Sequence, residues 1–284
     1  MSLMEILIAR HSGFCEGVER AYGIALKQTQ AQRPVYMLGN LVHNTQVVEK
    51  FKGLGVKTVK SISEIPRNTQ GILLISAHGV APEIYKEARE LGLEIVDTTC
   101  PWVKKAQKIA RELSDEGRLV IIVGDKGHPE VKALVGWSGG RGRVIEDIED
   151  IQSLGDIKDI KVGVLAQTTQ AEEHFGRMVK ALREKVKDLK EFDTICGATS
   201  KRQAAAVEIA QKVELMLVIG DKMSANTKRL TELCSQTGTE AHQIQTVKEL
   251  DLNWLKGKNK VGITAGASTP EWVIEEVLSK LRLL

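Results

Sequence analysis

Short apolar, β-branched runs alternate with longer stretches in which apolar positions recur at helical spacing. The runs are Glu5–Ala9, Val35–Leu38, Gly71–Ser76, Glu94–Asp97, Leu119–Val123, Val162–Leu165, Phe192–Ile195, Leu215–Ile219 and Val261–Thr264. Such near-continuous runs suit strands buried on both faces of a parallel sheet. Between them, Ala171, Phe175, Met178, Leu182 and Val186 make one apolar stripe, and Val273, Val277 and Leu281 another. Both stripes predict helices resting on a core rather than cofactor boxes. The alternation predicts an α/β fold with right-handed crossovers.

The chain also repeats itself. Cys15, Cys100 and Cys196 each follow a predicted strand and precede a predicted helix. Twenty-four residues after each stands a glycine that closes a second apolar run: Gly39, Gly124 and Gly220. Four residues further come His43, His128 and Ser224, and two more reach Thr45, Glu130 and Asn226. Gly-Asp-Lys recurs at Gly124–Lys126 and Gly220–Lys222. A third run in each copy ends in a polar turn: Ser76-Ala77-His78-Gly79, Gln167-Thr168-Thr169 and Gly266-Ala267-Ser268-Thr269. Three small parallel-sheet units result, 1–98 with Cys15, 99–194 with Cys100 and 195–284 with Cys196. Ligands of open parallel sheets bind outside the carboxyl ends of strands, where all nine features fall. We therefore expect the units to share one site with three cysteines at its floor.

Composition removes several partners. Forty basic against thirty-seven acidic residues leave +3, too balanced for a nucleic-acid or membrane surface. At 4% aromatic residues, stacking platforms for single strands are not expected either. No apolar run approaches a membrane span, and Met4–Ala9 is too short for a signal peptide and is closed by Arg10 and His11. A cytoplasmic protein is expected, with Met1-Ser2-Leu3 read as an added leader ahead of Met4.

Three thiolates in one place repel unless a cation neutralises them. Zinc on three cysteines keeps one position for water; a four-iron cluster on three cysteines keeps one iron open. Spacing does not choose between them. Cys234, beside Leu230 and Leu233 in a helical pattern, has no counterpart in the other copies and reads as core. Glu130, in His128-Pro129-Glu130, is the one acid at the repeated turn. Like charge and desolvation would raise its pKa, which suits a proton donor. His43, His78, His128, Thr168, Ser224, Asn226 and Ser268 are neutral or potential donors where helices begin, an anion site suited to phosphate or diphosphate. No Walker loop or GxGxxG follows a strand, and Gly139-Gly140-Arg141-Gly142-Arg143 reads as a surface turn.

These residues resemble the LytB-type 4-hydroxy-3-methylbut-2-enyl diphosphate reductases of the non-mevalonate isoprenoid pathway. The likeness spans nearly the whole chain. It rests on Gly13-Phe14-Cys15-Glu16-Gly17-Val18, Val42-His43-Asn44, Ser76-Ala77-His78-Gly79-Val80, Thr99-Cys100-Pro101, Gly127-His128-Pro129-Glu130-Val131, Gln167-Thr168-Thr169, Cys196-Gly197-Ala198-Thr199 and Thr264-Ala265-Gly266-Ala267-Ser268. The resemblance implies three pseudo-repeated α/β domains in a trefoil around one central [4Fe-4S] cluster, held by Cys15, Cys100 and Cys196. It implies reductive dehydroxylation of an allylic diphosphate to isopentenyl and dimethylallyl diphosphate, with a ferredoxin or flavodoxin as electron donor. Glu130 would supply protons with help from Thr168 and His128. His43, His78, His128, Thr168, Ser224, Ala225, Asn226 and Ser268 would hold or order the substrate. The family often reads Ser-Ser-Asn where this chain has Ser224-Ala225-Asn226, so Ala225 offers only its backbone. A zinc hydrolase on the same thiolates and a non-catalytic iron–sulfur sensor are the competing readings.

Overall fold

The computed structural model describes residues 4–284; the leader reading of Met1-Ser2-Leu3 lies outside the described residues. The chain opens with β1 (Glu5–Ile8), α1 (Glu16–Gln28), β2 (Val35–Leu38), α2 (Thr45–Gly53), β3 (Lys57–Val59), β4 (Ile72–Ile75), α3 (Pro82–Glu90) and β5 (Glu94–Asp97). It continues through α4 (Pro101–Asp115), β6 (Leu119–Val123), α5 (Pro129–Trp137), β7 (Arg143–Ile145), α6 (Ile148–Ser153), β8 (Lys161–Ala166), α7 (Glu172–Lys185) and β9 (Asp188–Phe192). The remainder forms α8 (Gly197–Ala210), β10 (Leu215–Ile219), α9 (Ala225–Gln236), β11 (Glu240–Ile244), β12 (Lys260–Ala265) and α10 (Glu271–Arg282).

The strands form three four-stranded parallel sheets, ordered β3-β2-β4-β5, β7-β6-β8-β9 and β1-β12-β10-β11. Two compact units hold them. One comprises residues up to Glu19, His43–Val47 and Gly197–Leu284 and contains the last sheet; the other comprises Arg20–Val42 and Val48–Cys196 and contains the first two. Chain order would group β1 with the strands that follow it. In the sheet it pairs with β12 instead, with Ile8 opposite Ile263.

The α/β expectation holds, and so do both stripes: Phe175, Met178 and Leu182 are buried on α7, and Val273, Val277 and Leu281 on α10. Successive strand residues point to opposite faces, so each sheet feeds two cores. In the β6–β8 sheet, Ile121, Val123 and Val164 meet α7, while Ile122 and Leu165 meet Ala106, Ala110 and Leu113 of α4. In the last sheet, Leu217 and Ile263 face α10, while Met216 and Val218 face Ala206, Ala210, Leu230 and Cys234.

One expected strand is displaced. The run Phe192–Ile195 is not a strand; β9 is Asp188–Phe192, and Thr194 instead bonds the β8 end through Ala166. β9 is an edge strand with polar, half-exposed residues, so it lacks a continuous apolar run. For the same reason the runs miss β3, β7 and β11, each at one edge of its sheet. The Gly139–Arg143 segment does turn at the surface, with Arg143 already opening β7.

Gly163 of β8 lets Leu113 lie flat on the sheet: a Cβ there would come within 2.5 Å of a Leu113 methyl. Leu113→Ala should leave a cavity and lower stability by roughly 2–5 kcal/mol, read as a fall in the urea midpoint.

Candidate active site

Within the unit of two sheets, every expected residue lies just past a strand's carboxyl end. His78 follows β4 in the turn Ser76–Gly79, closed by the Gly79 N–H donating to the Ser76 carbonyl at 3.1 Å. Gly79 has φ +72, a left-handed backbone that glycine adopts without strain, so the turn needs glycine there. The same turn anchors a cysteine: the Cys100 N–H donates to the Ala77 carbonyl at 3.0 Å. Cys100 is also the N-cap of α4, with Pro101 at the first helical position.

His128 caps α5. Its Nδ1 accepts from the Glu130 N–H at 3.2 Å, so a neutral ring carries its proton on Nε2. The His78 and His128 rings meet edge-to-face with centroids 5.1 Å apart.

Glu130 is the buried acid of this unit, 1% exposed. Its Oε1 accepts from the Thr168 N–H at 2.7 Å and its Oε2 from the Thr168 hydroxyl at 2.9 Å. Burial drives its pKa up to about 7; the Thr168 bonds pull against that, and Asp125 adds to it. The Thr168 carbonyl in turn accepts the Cys196 N–H at 2.9 Å. One threonine thus ties the carboxyl group of α5 to the cysteine that precedes α8.

In the other unit the same layout recurs at the ends of β10, β12 and β1. Ser224 caps α9, its hydroxyl accepting from the Thr227 N–H at 3.3 Å. Asn226, in the first turn, is 4% exposed, and both ends of its side-chain amide are buried without a hydrogen-bond partner. Burying such a group unpaired costs about 1–3 kcal/mol, so the position calls for a polar partner, an ordered water or a ligand. Ser268, after β12, donates its hydroxyl to the His43 carbonyl at 2.9 Å; to donate to an anion it must rotate away. The Cys15 N–H donates to the Ala267 carbonyl at 3.3 Å. Burial pushes His43 below the ordinary histidine range, with Asp221 opposing, so the ring is neutral near pH 7.

Sequence reasoning passed over Asp221. It is 3% exposed, and its Oδ2 accepts from both the Thr45 N–H at 2.8 Å and the Thr45 hydroxyl at 2.6 Å. Its Oδ1 accepts from the Met223 N–H at 2.8 Å. Burial alone would raise its pKa, but these bonds and nearby His43 hold it below the ordinary range. Asp221 therefore fastens the His43–Thr45 segment to the end of β10. The repeated Gly-Asp-Lys was the available signal; Asp125, its counterpart, accepts the His128 N–H through its carbonyl at 2.9 Å.

None of the four cysteines is in a disulfide. Cys15, Cys100 and Cys196 are half-buried at strand ends, each directly ahead of a helix. Three thiols so placed have the donor chemistry an iron–sulfur cluster uses. Cys234 is fully buried on α9; burial raises its thiol to about 11, and it packs with Leu230 and Met216 as core. No helix among the described residues is long and apolar enough to cross a membrane.

Thiols, a protonatable buried acid and neutral donors, all at parallel strand ends, are the equipment of an α/β enzyme rather than a scaffold. The chain belongs to the LytB family, whose model, described as LytB protein, matches residues 6–282. It is 42% identical over 279 residues to a 4-hydroxy-3-methylbut-2-enyl diphosphate reductase of Geobacter metallireducens, covering 98% of this chain and 97% of that one. It is 46% identical over 284 residues to the protein of the same name from Dehalococcoides mccartyi, covering 98% of each. Two solved structures are similar. One, titled as (E)-4-hydroxy-3-methyl-but-2-enyl diphosphate reductase, the terminal enzyme of the non-mevalonate pathway, aligns at TM-score 0.70 and 39% identity over 99% of this chain and 100% of that one. The other, titled as the E-1-hydroxy-2-methyl-but-2-enyl-4-diphosphate reductase from Plasmodium falciparum, aligns at TM-score 0.92 and 29% identity, over 99% of this chain and 88% of that one.

The raised Glu130 pKa has a consequence for stability. Between pH 4.5 and about 7 the folded protein holds a proton on Glu130 that the unfolded chain has released. Stability from this group therefore falls as pH rises through that window and levels off above it. Glu130→Gln removes the dependence. Urea unfolding at pH 5 and pH 8 should show the wild type losing on the order of 3 kcal/mol relative to the variant; parallel pH profiles would contradict the raised pKa.

Proposed function

We propose that this chain reduces (E)-4-hydroxy-3-methylbut-2-enyl diphosphate to isopentenyl and dimethylallyl diphosphate, consuming two electrons and two protons and releasing water. The observation that carries the reading is Glu130, sealed from water yet poised to titrate near neutrality, and doubly bonded to Thr168. Family membership and the names of the relatives support it.

In this reading Cys15, Cys100 and Cys196 hold one [4Fe-4S] cluster per chain. When bound, the cluster supplies the electrons, received from a ferredoxin or flavodoxin, and a Lewis acid for the allylic hydroxyl. The protein supplies positioning and protons. The α9 N-terminus, with Ser224, Asn226 and Ser268 and the neutral His43, holds the diphosphate; Asn226 gains the partner it lacks, and Ala225 offers only its backbone N–H. Fixing the anion fixes the allylic carbons, which lowers the barrier by orientation. His78 and His128 order the surroundings through their edge-to-face contact and the proton on His128 Nε2.

Glu130 carries the proton. In its acid form it donates to the Thr168 oxygen, whose own hydroxyl proton passes to the departing oxygen, so the proton moves without admitting water. The neutral anion site has a further effect: with no lysine or arginine in it, product is not held by a strong ion pair.

Anaerobic purification followed by iron, sulfide and zinc analysis tests the cluster. Cys15→Ser, Cys100→Ser and Cys196→Ser should each lose iron and sulfide, while Cys234→Ser keeps both. Zinc without iron, or equal cluster content in all four variants, overturns the assignment. Glu130→Gln should keep cluster and substrate binding while kcat with a chemical reductant falls about 10²–10⁴-fold; near-normal turnover would remove Glu130 as the proton donor.

A further inference from the structure

The helix that Cys100 opens carries an uncommitted surface. A groove of about 500 Å³ lies between α3 and α4, lined by Arg89, Lys104, Lys108 and Arg111 together with Tyr85 and Trp137. Lys104, Lys108 and Arg111 fall on one face of α4, at i, i+4 and i+7. Against these four cations the lining offers one carboxylate, Asp97, which Lys104 holds at 2.8 Å. Lys108–Glu112 at 3.6 Å and Arg111–Asp115 at 4.0 Å are exposed pairs that scarcely satisfy their cations. The chain as a whole is only +3, so this excess is local.

The walls are aromatic and fixed. The Trp137 indole N–H donates to the Val80 carbonyl at 2.9 Å, and the Arg111 guanidinium lies over its ring at 5.7 Å. Tyr85 and Trp137 are half-buried beside Arg89 and Arg111, and Tyr, Trp and Arg are the residues enriched at protein interfaces. The groove begins one helical turn from Cys100: Lys104, which lines it, donates its backbone N–H to the Cys100 carbonyl at 2.9 Å.

We propose that the α3–α4 groove is the docking surface for the electron donor, a small acidic protein carrying a one-electron centre. This rests on the reductase reading above. Each docking event passes one electron, and two supply the pair the reaction consumes. Opposite charge steers the encounter and allows fast release, and the aromatic rim sets the orientation.

Lys108→Glu/Arg111→Glu and Arg89→Glu test this, with Lys52→Glu on α2 as the charge control. The probe is flavodoxin, kept reduced by NADPH and its reductase. The groove variants should raise KM for flavodoxin at least tenfold and flatten its dependence on salt, while turnover with methyl viologen stays within twofold and Lys52→Glu changes neither. Lys108→Gln/Arg111→Gln, milder for folding, should fall between wild type and the reversals. Direct titration of each variant with flavodoxin, without turnover, should show the same order of affinities. Unchanged flavodoxin affinity, or equal losses with flavodoxin and methyl viologen, overturns the docking surface. Absence of methyl viologen turnover in the wild type, with flavodoxin binding intact and lost in the variants, would instead overturn the reductase reading and leave the surface standing.

Discussion

Two strands that run parallel cannot be joined by a tight turn; the chain must cross over, usually through a helix, before it pairs again. Every strand of a sheet then ends on the same side, and every following helix begins there. In this protein that constraint acts on all twelve strands among the described residues. It accounts for why His78, His128, Thr168, Ser224 and Ser268, far apart in sequence, occupy equivalent places at sheet ends. It also aims helix N-termini, with their unsatisfied N–H groups, at the same side as the polar turns. Short caps then do the local work: His128 orients Glu130, Ser224 opens α9 ahead of Asn226, and Cys100 sits where Pro101 starts α4.

The electrostatic character follows from what those caps lack. No lysine or arginine is among the expected anion-binding residues. Burial keeps His43 uncharged, and in a neutral His128 the Nδ1 contact puts the ring proton on Nε2. The one acid among them, Glu130, is stripped of water and compensated only by Thr168, which places its titration near neutrality. Charge is concentrated elsewhere: on Asp221, which fastens a loop, and on the cations of α3 and α4.

Much of this was legible in the sequence because its signals are local. Continuous apolar runs identify central strands such as β4 and β10, buried at every position. The offsets from Cys15, Cys100 and Cys196 locate the turns that follow the next strands. Four edge strands, β3, β7, β9 and β11, escape because they carry polar, solvent-facing residues, while β1 and β5, also at edges, keep legible apolar runs. The pairing of β1 with β12 escapes for another reason: nothing within either segment encodes a partner about two hundred and fifty residues away. Asp221 escapes because an aspartate after a strand reads as a turn residue until its two bonds to Thr45 are seen.

The β1–β12 ladder gives vectorial synthesis an unusual role. As the chain leaves the ribosome, the segment bearing Cys15 emerges first, yet its strand has no neighbour until the residues around Ile263 have been made. The sheets containing β2–β5 and β6–β9 close from contiguous stretches and can form earlier. Maturation of the Cys15 thiol's surroundings is thus deferred to the end of translation, after the other two sheets can already have closed.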